Sequence, residues 1–168
     1  MADTKISDLP AVTSLLPTDE FEIARSGVSN RIAADDLVPA ITQRRTAGIL
    51  VTDPLGDVLS SGTGKAYILI PLLVDLSDLI DAAISVSTVA TSGVTQVQLR
   101  RYRAGVSDDM LSTLLTIDSG EHTSLTAATP AVIDTANDDV QVGDLIFVDV
   151  IAAGNDAKGL YCQMTFDT

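Results

Sequence analysis

The stretch VTQVQLRRYR, residues 94–103, decides the fold. Val97 and Leu99 alternate with Gln96 and Gln98, a period of two that puts apolar side chains on one side of an extended strand. Three arginines follow in the same run. Extended geometry places Arg101 and Arg103 on one face and Arg100 with Tyr102 on the other. The same period continues in both directions. AISVSTVA, residues 83–90, sets Ile84, Val86 and Thr88 against Ser85, Ser87 and Val89. AYILIPLLV, residues 66–74, reads as a largely buried strand, with Pro71 marking an edge or bulge. MLSTLLTID (110–118) extends the pattern, and SGEHTSLTAATPAV (119–132) is a polar excursion. DLSDLIDA (75–82) and DTANDDV (134–140) each offer a helical turn. DLIFVDVIA (144–152) and KGLYCQMTF (158–166) read as a β-hairpin, with Gly154, Asn155 and Asp156 supplying positive-φ positions.

About six to eight short strands, evenly spaced and bounded by turn residues, predict an all-β domain of antiparallel sandwich or jelly-roll type. Strands do not alternate with long amphipathic helices, which argues against an α/β enzyme fold. The core must be aliphatic, because 168 residues include three Phe, three Tyr and no Trp. The longest apolar run is the nine residues of 66–74, too short for a transmembrane helix. The opening residues lack the basic-then-apolar order of a secretory leader, so export by that route is not expected.

Ahead of this body, LPTDEFEIARSG offers a strand over 20–25 with Phe21 and Ile23 on one face. SGVSN is a turn by composition, and NRIAADDL returns as a short strand leading into a helical turn. Residues 46–65, rich in Gly, Ser, Thr and Asp, read as a connection, part strand and part loop. The chain is therefore expected to comprise a strand–turn–strand attachment segment (1–46), a linker (47–65) and a β-sandwich (66–168). The net charge of −13 is unevenly placed: residues 1–46 hold seven acids and five bases, residues 47–168 sixteen and five. Such a body repels phosphate backbones, so nucleic acid is not an expected partner.

The search for chemistry returns structural readings. SSGTGKA (60–66) fails as a phosphate loop, because Leu59 stands where the first glycine belongs and Ala66 follows Lys65. His122, the single histidine, lies in a Ser/Thr-rich loop without a nucleophile elbow. Cys162 alternates within LYCQMTF as a buried strand residue and has no second cysteine to pair with. The acid pairs Asp35–Asp36, Asp108–Asp109 and Asp138–Asp139 face opposite ways if extended, which makes them poor acid/base pairs. DTANDD and GND carry oxygens suited to calcium, yet lack the spaced pattern of an EF-hand loop. No catalytic residue, cofactor or metal ligand is assigned. Arg100, Arg101 and Arg103 are expected to form salt bridges, between strands or with the acids of another copy.

The opening KISDLPAVTSLLPTDEFEIARSGVSNRIAADDL (5–37) resembles a short N-terminal segment of tail-fibre and other virion structural proteins of tailed bacteriophages. The resemblance rests on Ile6–Pro10, Asp19–Ile23, Gly27, and Arg31, Ile32 and Leu37. DTANDDVQVGDLIFVDVIAAG (134–154) looks like the β-sandwich modules attached to such segments. The resemblance implies a homotrimeric, non-enzymatic protein on the exterior of the phage particle, docked on the major capsid protein or another virion protein. Without the long shaft or further tip of a receptor-binding fibre, it points to a capsid decoration (cement) protein or a short head fibre. Phe21, Ile23, Val28, Ile32 and Leu37 would then pack against sister chains or the capsid, since so small a segment buries too little surface to order itself. The alternative is a tail-fibre or receptor-binding module for a host-surface glycan, contacting it through Arg100, Tyr102 and the 119–130 loop.

Overall fold

The computed structural model describes residues 20–25, 28–33, 44–71 and 76–167, the first two segments as backbone. The chain divides into two compact units, Met1–Thr42 and Gln43–Thr168. In the first, β1 (Glu20–Arg25) pairs antiparallel with β2 (Val28–Ala33), with Phe21 opposite Ile32 and Arg25 opposite Val28. The two antiparallel strands expected here are present, the second starting at Val28, inside the stretch read as a turn; residues 26–27 lie outside the described residues. Leu37 and the ISDLP start lie outside the described residues.

The second unit is all-β. Its strands are β3 (Arg45–Leu50), β4 (Gly62–Leu69), β5 (Leu79–Ser85), β6 (Thr95–Arg103) and β7 (Val106–Asp109). β8 (Leu111–Thr113), β9 (Leu115–Ile117), β10 (Val132–Ile133), β11 (Leu145–Ala152) and β12 (Tyr161–Phe166) follow. One sheet runs β4-β11-β6-β7, with β9 also on β6; a second runs β3-β12-β5; β8 and β10 pair separately. All the ladders are antiparallel.

Alternation fills the core from both larger sheets. Val97 and Leu99 of β6 and Ile146, Val148 and Val150 of β11 are buried together with Ile84 of β5 and Cys162, Met164 and Phe166 of β12. Each such side chain contributes roughly 1.5–3 kcal/mol by leaving water. On the outward side of β3, an alanine Cβ at Gly48 would meet the Tyr161 hydroxyl at 1.7 Å, because the Tyr161 ring lies across this edge glycine.

Gln98 repairs a gap in the large sheet. The chain pairs with β6 as β7, leaves it at β8 to meet β10, and rejoins it as β9. Across the gap the buried Gln98 amide takes the place of a backbone neighbour. It donates from Nε2 to Leu111 O (2.9 Å), and its Oε1 accepts from Leu111 N (3.2 Å) and Leu99 N (2.9 Å).

Several expectations are corrected. The 47–65 linker begins inside β3 and ends inside β4, and β3 pairs with β12 along its full length. DLSDLIDA contains the start of β5 instead of a helix, because Leu79, Ala82 and Ile84 are matched to β12 through a bulge at Thr165/Phe166. DTANDDV makes an aspartate-capped turn, Asn137 N donating to Asp134 O and Ala136 N to Asp134 Oδ1. β4 is not largely buried: Tyr67 and Leu69 are each 57% exposed.

The last two strands are not a hairpin, for β11 and β12 lie in different sheets. Their connection is pinned to residues 87–92 by bonds such as Thr91 N to Asn155 O and Asn155 N to Ser92 O, both 2.9 Å. Of the three turn residues only Asp156 takes a positive φ, 65°. Gly154 serves a close approach, since a Cβ there would stand 2.5 Å from that of Ala90.

Candidate functional site

The arginines of β6 are bound within the chain. Arg101 and Arg103 point to one side, as extended geometry requires, and share Asp139. Arg101 reaches Asp139 Oδ1 through NH1 and Asp108 Oδ2 through NH2 (2.9 Å). Arg103 reaches Asp139 Oδ2 (2.8 Å) and grips Asp144 with two parallel bonds, Nε to Oδ1 at 2.8 Å and NH2 to Oδ2 at 2.6 Å. That paired geometry is the strong form of a guanidinium–carboxylate contact. Asp144 is buried and also accepts from Gln141 N at 2.7 Å, which ties the turn before β11 to β6.

Electrostatics follow from these contacts. The Arg103 hydrogen bond, with help from Arg101, outweighs desolvation and holds the Asp139 carboxyl below its ordinary range. Burial opposes ionisation of Asp144, but Arg103 and the Gln141 N–H overcome it, so this carboxyl too titrates low. Asp138 goes the other way, raised by burial and then by the neighbouring charge of Asp78. The adjacent pair 138–139 thus splits, one carboxyl on the arginines and one among acids. Asp108 and Asp109 split likewise, with Asp109 opposite Arg100 in register.

Arg100 stands on the other face. Its Nε and NH2 bind Asp149 Oδ2 (2.7 Å) and Oδ1 (3.2 Å), and NH1 donates to Ser107 Oγ (3.1 Å). Asp149 is buried and also accepts from Gly64 N, holding the irregular start of β4 against β11. The guanidinium carbon sits 4.9 Å from the centre of the Phe147 ring, within cation–π range. Tyr67 lies 5.7 Å from Phe147 on one side, and Tyr102 6.4 Å away, edge-on, on the other.

Register turns these contacts into a grid. Tyr67, Phe147 and Arg100 are direct cross-strand neighbours on β4, β11 and β6; Leu69, Leu145 and Tyr102 form the next row on the same face. Half of the chain's six aromatic residues therefore meet on one sheet face. Sequence reading found Arg100 and Tyr102 but missed Tyr67 and Phe147. The signal available was their alternation out of phase with half-buried Ile68 and buried Ile146 and Val148.

The arginine expectation is resolved toward inter-strand salt bridges: all three guanidiniums meet acids of their own chain. The 119–130 loop does not join the grid. Thr116, opposite Gln96 in register, bonds to Thr129 of that loop, and Gln96 lies six residues, roughly 20 Å, along β6 from Tyr102. His122 is exposed and its Nδ1 lies 2.9 Å from Val86 O, a backbone contact at the end of β5. Cys162 is fully buried, and desolvation pushes its thiol up to about 12. Lys65 of the rejected phosphate loop is part of β4 and donates to Ser60 Oγ at 2.8 Å.

Among the described residues no group of three or more His, Cys, Asp or Glu is placed to hold a metal ion. No helix among them is long and apolar enough to cross a membrane. Compared with protein-family models, with curated proteins and with solved structures, the chain matches none.

Proposed function

We propose that this chain is a non-enzymatic structural protein of a tailed-bacteriophage virion, a capsid decoration or cement protein or a short head fibre. Its first segment docks on the major capsid protein or another particle protein, and its body, arranged as an antiparallel sandwich, is displayed on the exterior as part of a homotrimer. The observation that carries this reading is the hairpin β1–β2, in a compact unit of its own at the place of the attachment pattern. Two six-residue strands are marginal in isolation, so a hairpin of that size gains its order from a partner. The body adds support. Its three clustered arginines are committed to ion pairs with acids on neighbouring strands and turns, the use expected of a scaffold.

A second reading, a tail-fibre or receptor-binding module for a host-surface glycan, draws on the exposed tyrosines beside Phe147. Aromatic faces are common sugar platforms, though here without the 119–130 loop.

The test is location. Particles purified from a lysate of the phage or lysogen encoding the chain are probed by immunogold labelling and quantitative mass spectrometry. The reading expects many copies per intact particle, in multiples of three per attachment site. A chain absent from purified particles refutes it, and labelling confined to the distal tail with a positive glycan array selects the second reading.

A further inference from the structure

We propose that the outward face of β4, β11 and β6, built from Tyr67, Phe147, Arg100, Leu69, Leu145 and Tyr102, is a docking surface for a second copy of this chain. The inference is separate from the trimer of the proposed function: grid meets grid about a two-fold axis, through the body and not through the attachment segment.

Three observations favour a like partner. The grid is largely apolar on a body that is acidic overall: Tyr67 and Leu69 are 57% exposed and Tyr102 39%, with Leu145 and Phe147 half-buried between them. A contiguous apolar patch on a soluble surface usually marks an interaction site. Next is charge. Within the grid the one ion is Arg100, which buried Asp149 neutralises through two bonds, with exposed Asp109 of β7 beside it in register. Two bodies that carry most of a −13 net charge repel over much of their surfaces, so a face with little excess charge is where they can meet closely. A basic partner would be drawn to the acidic surfaces instead, and an acidic one would find no unpaired cation in the grid.

The third is rigidity. Phe147 is held between Tyr67, Tyr102 and the Arg100 guanidinium, while Asp149 and Ser107 fix Arg100. Immobilised aromatic and arginine anchors are the composition of interface hot spots, because little side-chain freedom remains to be lost on docking. A sugar would need polar partners beside the rings, and three of the five N–H donors of Arg100 are already taken by Asp149 and Ser107.

The experiment measures the mass of the full chain by light scattering and sedimentation across a concentration series. Wild type is expected above the 17.5 kDa of one chain. Tyr67→Asp and Leu69→Asp should each raise the dissociation constant at least tenfold, whereas Leu125→Asp, at an exposed apolar position outside the grid, should leave it unchanged. Tyr67→Cys supplies a second readout. Native Cys162 is buried, so mild oxidation should link copies through position 67 alone. A chain monomeric throughout, an association indifferent to Tyr67→Asp, or a glycan that binds wild type but not Tyr67→Asp without any self-association each overturns the inference. The two proposals fail separately: Tyr67-dependent association of a chain absent from particles sinks only the virion reading, and a monomeric chain found on particles sinks only this one.

Discussion

Replacing Gln98 by Leu tests whether one side-chain amide holds together the β6 edge of the large sheet. The substitution keeps the volume roughly constant but removes three bonds, leaving Leu99 N–H, Leu111 N–H and Leu111 C=O without their partner in a buried setting. Each orphaned backbone group costs about 1–2 kcal/mol, the lower part of the usual range, for a gross loss of about 3–6 kcal/mol. The added apolar burial of leucine returns about 1–2 kcal/mol. The net expectation is a loss of about 2–4 kcal/mol, which for a unit of this size lowers Tm by roughly 10 °C. Thermal and urea unfolding followed by circular dichroism give the number, and hydrogen exchange at the Leu99 and Leu111 amides gives the location. Protection at those two amides should fall further than at Val148, on the opposite side of β6. A Tm within about 2 °C of wild type, with both amides still protected, would show that the 110–114 segment does not depend on Gln98 and would refute the reasoning.

Asp144→Asn should cost about 3–5 kcal/mol at neutral pH, the usual result of breaking one side of a buried ion pair, here with the Gln141 contact weakened as well. The sign with pH follows from the depressed carboxyls. Asp139 and Asp144 supply stability above the ordinary aspartate value of about 3.9, and it is lost as pH falls through their lower folded values. Urea midpoints measured from pH 6 to 2 should therefore drop more steeply in wild type than in Asp144→Asn; parallel curves would contradict the assignment. Asp138, with its raised value, acts in the opposite direction and gives up stability as it ionises. Cys162 should resist thiol reagents at pH 8 in the folded protein and react at once in denaturant, read by absorbance with a chromogenic disulfide. Fast labelling of the native chain would mean that β12 opens readily.

What could be read from the residues was local. Alternation in 94–103 and 158–166 revealed β6 and β12, because one buried face imposes a period of two whatever the neighbouring strand is. The start of β5 was misread because Leu76, Leu79 and Ile80 carry helical spacing, and only pairing with β12 overrides it. The β11–β12 hairpin was inferred from turn chemistry that in fact serves a crossover between sheets, its Gly154 used for packing on Ala90. In β4, apolar residues on both faces suggested burial on both, whereas Tyr67 and Leu69 face outward. Arg101 and Arg103 were placed correctly on one face. Asp108 lies just across the β6–β7 turn, but Asp139 and Asp144 were not identifiable, since they lie some 40 residues away and join the arginines only once β11 pairs with β6. Gln98 looked like an ordinary solvent-facing residue until β7 and β9 were seen to leave a gap beside it.

The first and last strands of the body are neighbours: β3 pairs with β12, and Arg45 stands opposite Phe166 at one end of the ladder. A pull applied between those two residues would load the bonds of that ladder one at a time, like a zipper, since antiparallel bonds run across the strands. Such a geometry yields at low force. A load applied at the β3 end alone leaves that ladder unstrained, whereas one shared between β3 and the end of β12 opens it. The β3–β12 ladder is therefore poorly suited to being a link in a chain under tension.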